Sequence, residues 1–111
     1  MKLSLYISNL LTDPNTEAIL SIASIWEMQI KSSLGKLTFK TALPELVEDE
    51  VKRNQIELLP IELFHIYALS NLPNHHRDPF DRLLIAQAMN EKLAIVSIDE
   101  KFDGYEVERL W

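Results

Sequence analysis

The sequence predicts an α/β fold, and three observations carry that prediction. Short, continuously apolar runs such as "EAILSIA" and "LAIVSI" alternate with stretches of helical periodicity. That alternation is the pattern of a short, mostly parallel sheet flanked by helices. The length of 111 residues suits a single domain over 1–111. Hydrophobic residues at 47% and charged residues at 25% form a globular balance, enough for a core without covalent staples.

The elements follow in order. "LSLYISNLLTDPN", residues 3–15, reads as a helix with Leu3, Ile7, Leu10 and Leu11 on one face, ended by the turn "TDPN". Its first half also alternates, so a strand over Met1–Ser8 is a second reading. "EAILSIA" reads as a short buried strand. The helix "SIWEMQIKSSL" follows, with Ser24 as N-cap and Gly35 as its C-terminal stop. "LPELVEDEVKRN" is an amphipathic helix with an acidic outer face. "IELLPI" is a strand, "ELFHIYALSNL" a helix and "PNHHRDP" a loop. "FDRLLIAQAMNEK" is a helix with apolar residues at 80, 83, 84 and 88. "LAIVSI" is the clearest buried strand, "DEKFDGY" a turn or short helix, and "VERLW" a final short strand.

Composition removes several function classes. The chain has no cysteine, which rules out disulfides and thiolate metal sites and favours a reducing compartment such as the cytoplasm. Its two glycines, Gly35 and Gly104, are too few for a P-loop, a dinucleotide fingerprint or a Gly-x-Ser-x-Gly elbow. No apolar run approaches the roughly 20 residues needed to span a bilayer, and "MKLSLYISNLL" lacks the parts of a signal peptide. A net charge of −6 disfavours non-specific nucleic-acid binding, yet it is compatible with a nuclease whose acids carry bound cations. Trp26, Trp111, Phe64 and Tyr67 read as core or interface aromatics rather than a base-stacking platform.

In open α/β sheets, ligands gather beyond the carboxyl ends of strands. Among the 17 acidic residues that rule selects Glu27, Asp81 and Asp99. Each also has a plain structural reading. In "RDPFDRLL", Asp78 is the N-cap, Pro79 the first helical residue and Asp81 the N3 residue, where a carboxylate suits the helix dipole. Glu27 lies four residues before Lys31, the spacing of an ordinary helix pair, but it is embedded in "SIASIWEMQI", where partial desolvation is expected. Asp99 follows "LAIVSI" and either caps the next short helix or binds a ligand, with Ser97 as an added hydroxyl. Three carboxylates and no thiol suit a hard cation, Mg²⁺ or Mn²⁺, whose usual work is phosphodiester cleavage. His65, His75 and His76 are the only nitrogen ligands, which makes zinc the weaker choice. Arg77 and Arg82 are candidates for holding phosphate oxygens, and each is equally placed to pair with a nearby aspartate.

Taken together, "LSIASIWEMQIKSSLGKL", "ELLPI", "LPNHHRDPFDRLLIAQA" and "VSIDEKFDGY" occur in the order and spacing of a known family. The chain resembles the PIN domain, specifically the VapC-like ribonuclease toxins of bacterial type II toxin–antitoxin systems, from about Leu3 to its end. The resemblance implies a PIN-like three-layer sandwich and Mg²⁺- or Mn²⁺-dependent cleavage of RNA. It also implies inhibition by a small antitoxin and a tendency to form homodimers. It carries three of the family's four acidic positions onto Glu27, Asp81 and Asp99. The fourth is a departure. The family begins with a strand ending in "L-D-T-H", and no such segment is present here, so the usual first strand is missing and the domain is expected to be incomplete at its N-terminus, by about thirty residues. If Met1–Ser8 is a strand, Tyr6 falls near the aspartate position. A site one acid short binds its cation more weakly. A second expectation therefore stands beside the first: a catalytically inactive PIN remnant that binds an antitoxin or an intact toxin.

Overall fold

The computed structural model describes residues 5–73, 78–97 and 99–111. The chain contacts separate into two units, Glu17–Pro60 and a second that joins the N-terminal residues to Ile61–Trp111. We call them the 17–60 unit and the 61–111 unit.

The 17–60 unit contains β1 (Ile19–Ser21), α2 (Ile22–Ser33), α3 (Leu43–Asn54) and β2 (Glu57–Leu59). β1 and β2 pair in parallel, with Leu20 opposite Leu58. The chain passes from β1 straight into α2. Ser21 ends the strand in an extended conformation, and its Oγ accepts the Ala23 N–H at 3.0 Å. The expected cap at Ser24 is therefore corrected to Ser21: the helix starts at the first hydroxyl able to satisfy an orphan N–H, which trims the expected strand over 17–23 to three residues. At the other end, Gly35 takes φ +73, a left-handed conformation that glycine adopts without a Cβ penalty, and α2 stops there as expected. α3 begins and ends on the expected residues, with Pro44 in its first turn and Lys52 and Arg53 in its last. Its acids Glu45, Glu48, Asp49 and Glu50 are exposed and Leu43 is buried.

The 61–111 unit contains α4 (Leu63–Ala68), a 3-10 turn over Leu69–Asn71, α5 (Pro79–Glu91), β3 (Ile95–Val96), a second 3-10 turn over Glu100–Gly104 and β4 (Arg109–Leu110). The N-terminal helix α1 (Leu5–Thr12) belongs to it, and so the strand reading is overturned for residues 5–8. β3 and β4 are parallel, with Ile95 opposite Arg109 and Val96 opposite Leu110. The core is Ile85, Phe102 and Tyr105, with Leu72, Ile95 and Val107 packed against it.

Parallel pairing flanked by helices is thus the observed architecture, and among the described residues the strands form two separate pairs. The reading of "LAIVSI" as a strand buried on both faces is corrected. Among its described residues only Ile95–Val96 is strand, and Val96 is 46% exposed while Ile95 packs on the core. Successive strand side chains point to opposite faces, and only the Ile95 face meets the Ile85–Phe102–Tyr105 cluster. Of the aromatics read as core or interface residues, Trp26, Phe64 and Tyr67 are exposed at 54%, 49% and 67%, so the core half of that reading does not hold for them. Among the described residues, no helix is long and apolar enough to cross a membrane.

Candidate functional site

The first turn of α5 is built as its local sequence dictates. Asp78 sits extended at the N-cap, and its Oδ1 accepts the N–H groups of Phe80 at 2.8 Å and Asp81 at 3.4 Å. Pro79 occupies the first helical position, where its missing N–H costs nothing. With the cap role filled by Asp78, Asp81 stands half-buried at N3. Four residues on, one turn along the same helix face, Ile85 is fully buried in the core beside Phe102.

Phe102 leads to Asp99, because its N–H donates to the Asp99 carbonyl at 3.3 Å within the second 3-10 turn. Asp99 caps that turn, its Oδ1 accepting the Lys101 N–H at 2.9 Å. Its own N–H donates to Ser97 Oγ at 3.1 Å, so the Ser97 hydroxyl works as a turn acceptor. Lys92, left-handed at φ 57, ends α5 and sends the chain back along the helix into β3. α5 and β3 are in contact, so Asp81 and Asp99 are carried by neighbouring elements of one unit. Asp81 lies one turn before Ile85 and Asp99 three residues before Phe102, and Ile85 and Phe102 are members of the same core cluster.

Glu27 is carried by α2 in the 17–60 unit. Its side chain is 25% exposed, as its apolar surroundings predicted, and one oxygen lies 3.5 Å from Lys31 Nζ, the expected helix pair. In the same unit, Ile22, Ile25, Trp26, Leu43, Val47 and Leu58 line an open, mostly apolar groove of about 600 Å³, and Glu27 is not among its lining residues.

The PIN domain family matches residues 3–108. This chain belongs to the PIN domain family. No curated protein and no solved structure matches it. PIN domains as a class are nucleases that use divalent metal ions.

The donors of this PIN domain fit such an ion in kind. They are all oxygens, and no thiol competes. Among the described residues, no group of three or more histidine, aspartate or glutamate side chains is gathered to hold a metal. Mg²⁺ asks for less, since it keeps several waters and takes one or two carboxylates together with substrate phosphates. Asp81 and Asp99 are the two candidate carboxylates carried by one unit.

The remaining candidates divide. Arg82 donates through Nη1 to the Pro73 carbonyl and through Nη2 to the Leu69 carbonyl, both at 3.0 Å. It thereby ties the start of α5 to the first residue of the preceding 3-10 turn and to Pro73 beyond it. Arg77, His75 and His76 lie outside the described residues. His65 is fully buried and structural: its Nδ1 accepts the Glu62 N–H at 3.0 Å, which closes a capping box on α4. That bond leaves the proton on Nε2, which lies 3.0 Å from Glu91 Oε1 on α5. Gln87, also buried, brings its Nε2 to 3.5 Å from Nδ1. Helices α4 and α5 are joined by this polar contact.

One arrangement escaped sequence reasoning. Arg109 Nε and Nη2 donate to the two oxygens of Asp103 at 2.9 and 3.1 Å, and Nη1 donates to the Ser97 carbonyl at 3.2 Å. The Arg109 hydrogen bonds hold the Asp103 carboxyl below its ordinary range, ahead of a small opposing desolvation and the attraction of the charge itself. Arg109 is raised in turn, by those hydrogen bonds first, against some desolvation, with the charges of Asp103, Glu100 and Asp99 adding to them. No helix or strand rule links residues six apart, so spacing offers no signal for this pair.

Proposed function

We propose that this PIN domain is a ribonuclease of the VapC-like toxin type, hydrolysing RNA phosphodiesters with Mg²⁺ or Mn²⁺, and that Glu27, Asp81 and Asp99 are its acidic residues. One observation carries the reading: Asp81 opens α5 and Asp99 follows β3, two elements in contact within a chain whose family is that of metal-using nucleases. A bound divalent cation would neutralise phosphate charge and favour the attack of water on phosphorus. The protein's own part is to present hard anionic oxygens from fixed turns. Asp78 takes the cap, and Asp81 follows it at the N3 position of the same helix. Glu27, partly desolvated beside apolar neighbours, completes the acidic set on the family pattern. Arg77 and Arg82 are the arginines placed in sequence to meet substrate phosphate, with Arg82 already anchored through two of its donors. The same reading brings a small antitoxin as inhibitor, a second copy as partner, and the cytoplasm as location.

Purified protein incubated with RNA and Mg²⁺ or Mn²⁺, beside Asp81→Asn of matched thermal stability, tests it. Cleavage by the wild type, lost on chelation and lost in the variant, is expected. Equal cleavage by both proteins, or none by either, would sink the proposal.

A further inference from the structure

Asp99 stands on a turn whose two ends are tied by one side chain. Arg109, on β4, holds the Ser97 carbonyl at the start of that turn and both carboxylate oxygens of Asp103 near its end. Between the tied points lie Asp99 and most of the 3-10 turn that it caps. The contact to Asp103 is bidentate, the geometry in which a guanidinium fixes direction as well as adding energy. The strand pair does not need this fork. β3 and β4 are held by backbone bonds, Ile95 N–H to the Glu108 carbonyl at 2.8 Å and Ser97 N–H to the Leu110 carbonyl at 3.1 Å. The Arg109 side chain is also the better anchored partner, 20% exposed against 55% for Asp103. What the fork adds is closure of the turn that presents Asp99.

We infer that Arg109 is a positioning residue for Asp99: with Asp103 it ties Ser97 to the 3-10 turn that Asp99 caps and sets the orientation in which the Asp99 carboxylate meets a divalent cation. The inference rests on the metal-site reading of Asp99 given above. A ligand held by its surroundings loses less freedom on binding, and groups that orient metal ligands typically influence affinity by about 10- to 100-fold.

The test is Mn²⁺ binding to the full chain, followed by loss of the free-ion paramagnetic resonance signal, with the melting temperature of each metal-free protein measured alongside. The proteins are wild type, Arg109→Lys, Asp103→Asn, Asp99→Asn and the double variant Asp99→Asn/Arg109→Lys. Arg109→Lys keeps the charge and loses the fork. Asp103→Asn removes the fork from the other side and carries the test if the lysine variant does not fold. Each is expected to weaken Mn²⁺ binding by about tenfold, and Asp99→Asn by at least as much. In the Asp99→Asn background, Arg109→Lys is expected to add nothing, because both act on one ligand. Unchanged binding in Arg109→Lys and Asp103→Asn, with Asp99→Asn weakened, overturns the positioning role and leaves the metal site standing. Equal weakening by Arg109→Lys with and without Asp99 makes its effect global and overturns the role as well. Unchanged binding in Asp99→Asn removes the metal-site reading, and the inference with it.

Discussion

α5 and α2 each carry one of the proposed acids, and they are stabilised in opposite ways. α5 is buried along most of its length, at Leu83, Ile85, Ala86, Gln87 and Ala88. It is tied by Arg82 near its start and by Glu91 at its end. α2 buries Ala23 alone, while Trp26, Ile30 and Leu34 are exposed at 54%, 37% and 63%. Both helices have an oxygen cap, Asp78 on α5 and Ser21 on α2. Capping is thus common to the two, and burial is what separates them. Asp81 gains its fixed place from a core beneath it and polar ties around it. Glu27 is held by its own helix and by one ion pair to Lys31.

The largest test of this contrast makes the same chemical change in both helices. Ile85→Ala, which empties a fully buried site, is expected to cost about 2–5 kcal/mol in denaturant unfolding. Ile30→Ala, at a site 37% exposed, is expected to cost less than half as much. Equal losses would break the comparison and show that α2 is packed as tightly as α5.

A smaller effect probes the polar side of α5. His65→Ala leaves the Glu62 N–H and the buried Gln87 amide without the imidazole nitrogen they face. A loss of about 1–3 kcal/mol is expected from thermal or chemical unfolding. A loss under half a kcal/mol would mean that burial alone docks α5 on α4.

The smallest effect belongs to the Arg109–Asp103 fork and is read through pH. Because the folded state holds the Asp103 carboxyl below its ordinary value of 3.8, the pair stabilises the fold at pH values above 3.8. That contribution fades as the pH falls through the lowered value, where the carboxylate takes up its proton. Asp103 is exposed, so solvent screens the effect. The melting temperature of wild type should therefore exceed that of Asp103→Asn by a small margin near neutral pH, and the two should converge in acid. A gap that persists or widens in acid would show that the pair acts through something other than this charge.

Much of this was legible in the chain. Asp-Pro before an apolar helical run specifies the start of α5, because a carboxylate can accept orphan N–H groups and proline needs to donate none. The periodicity of "LPELVEDEVKRN" specified α3 to the residue, and Gly35 the end of α2. The half-buried state of Glu27 followed from its neighbours. Errors arose where two local signals competed. Ser21 and Ser24 were both able to cap α2, and the first one reached prevailed. "LAIVSI" looked buried on both faces because its apolar run is continuous, yet how much cover each face receives is set by what packs against it.

Sequence alone therefore determined the local chemistry: the α/β alternation, the Asp78 cap of α5, the family, and three acids on separate elements. Only the tertiary structure decided which groups work together. It packed Ile85 and Phe102, one turn from Asp81 and three residues from Asp99, into one cluster, turned the Arg82 guanidinium to the Leu69 and Pro73 carbonyls, and closed Arg109 over the turn that carries Asp99. The physical reason is range. Capping and periodicity act within about one helical turn, where spacing in sequence is spacing in space. A guanidinium instead bonds whichever oxygens the fold brings to it.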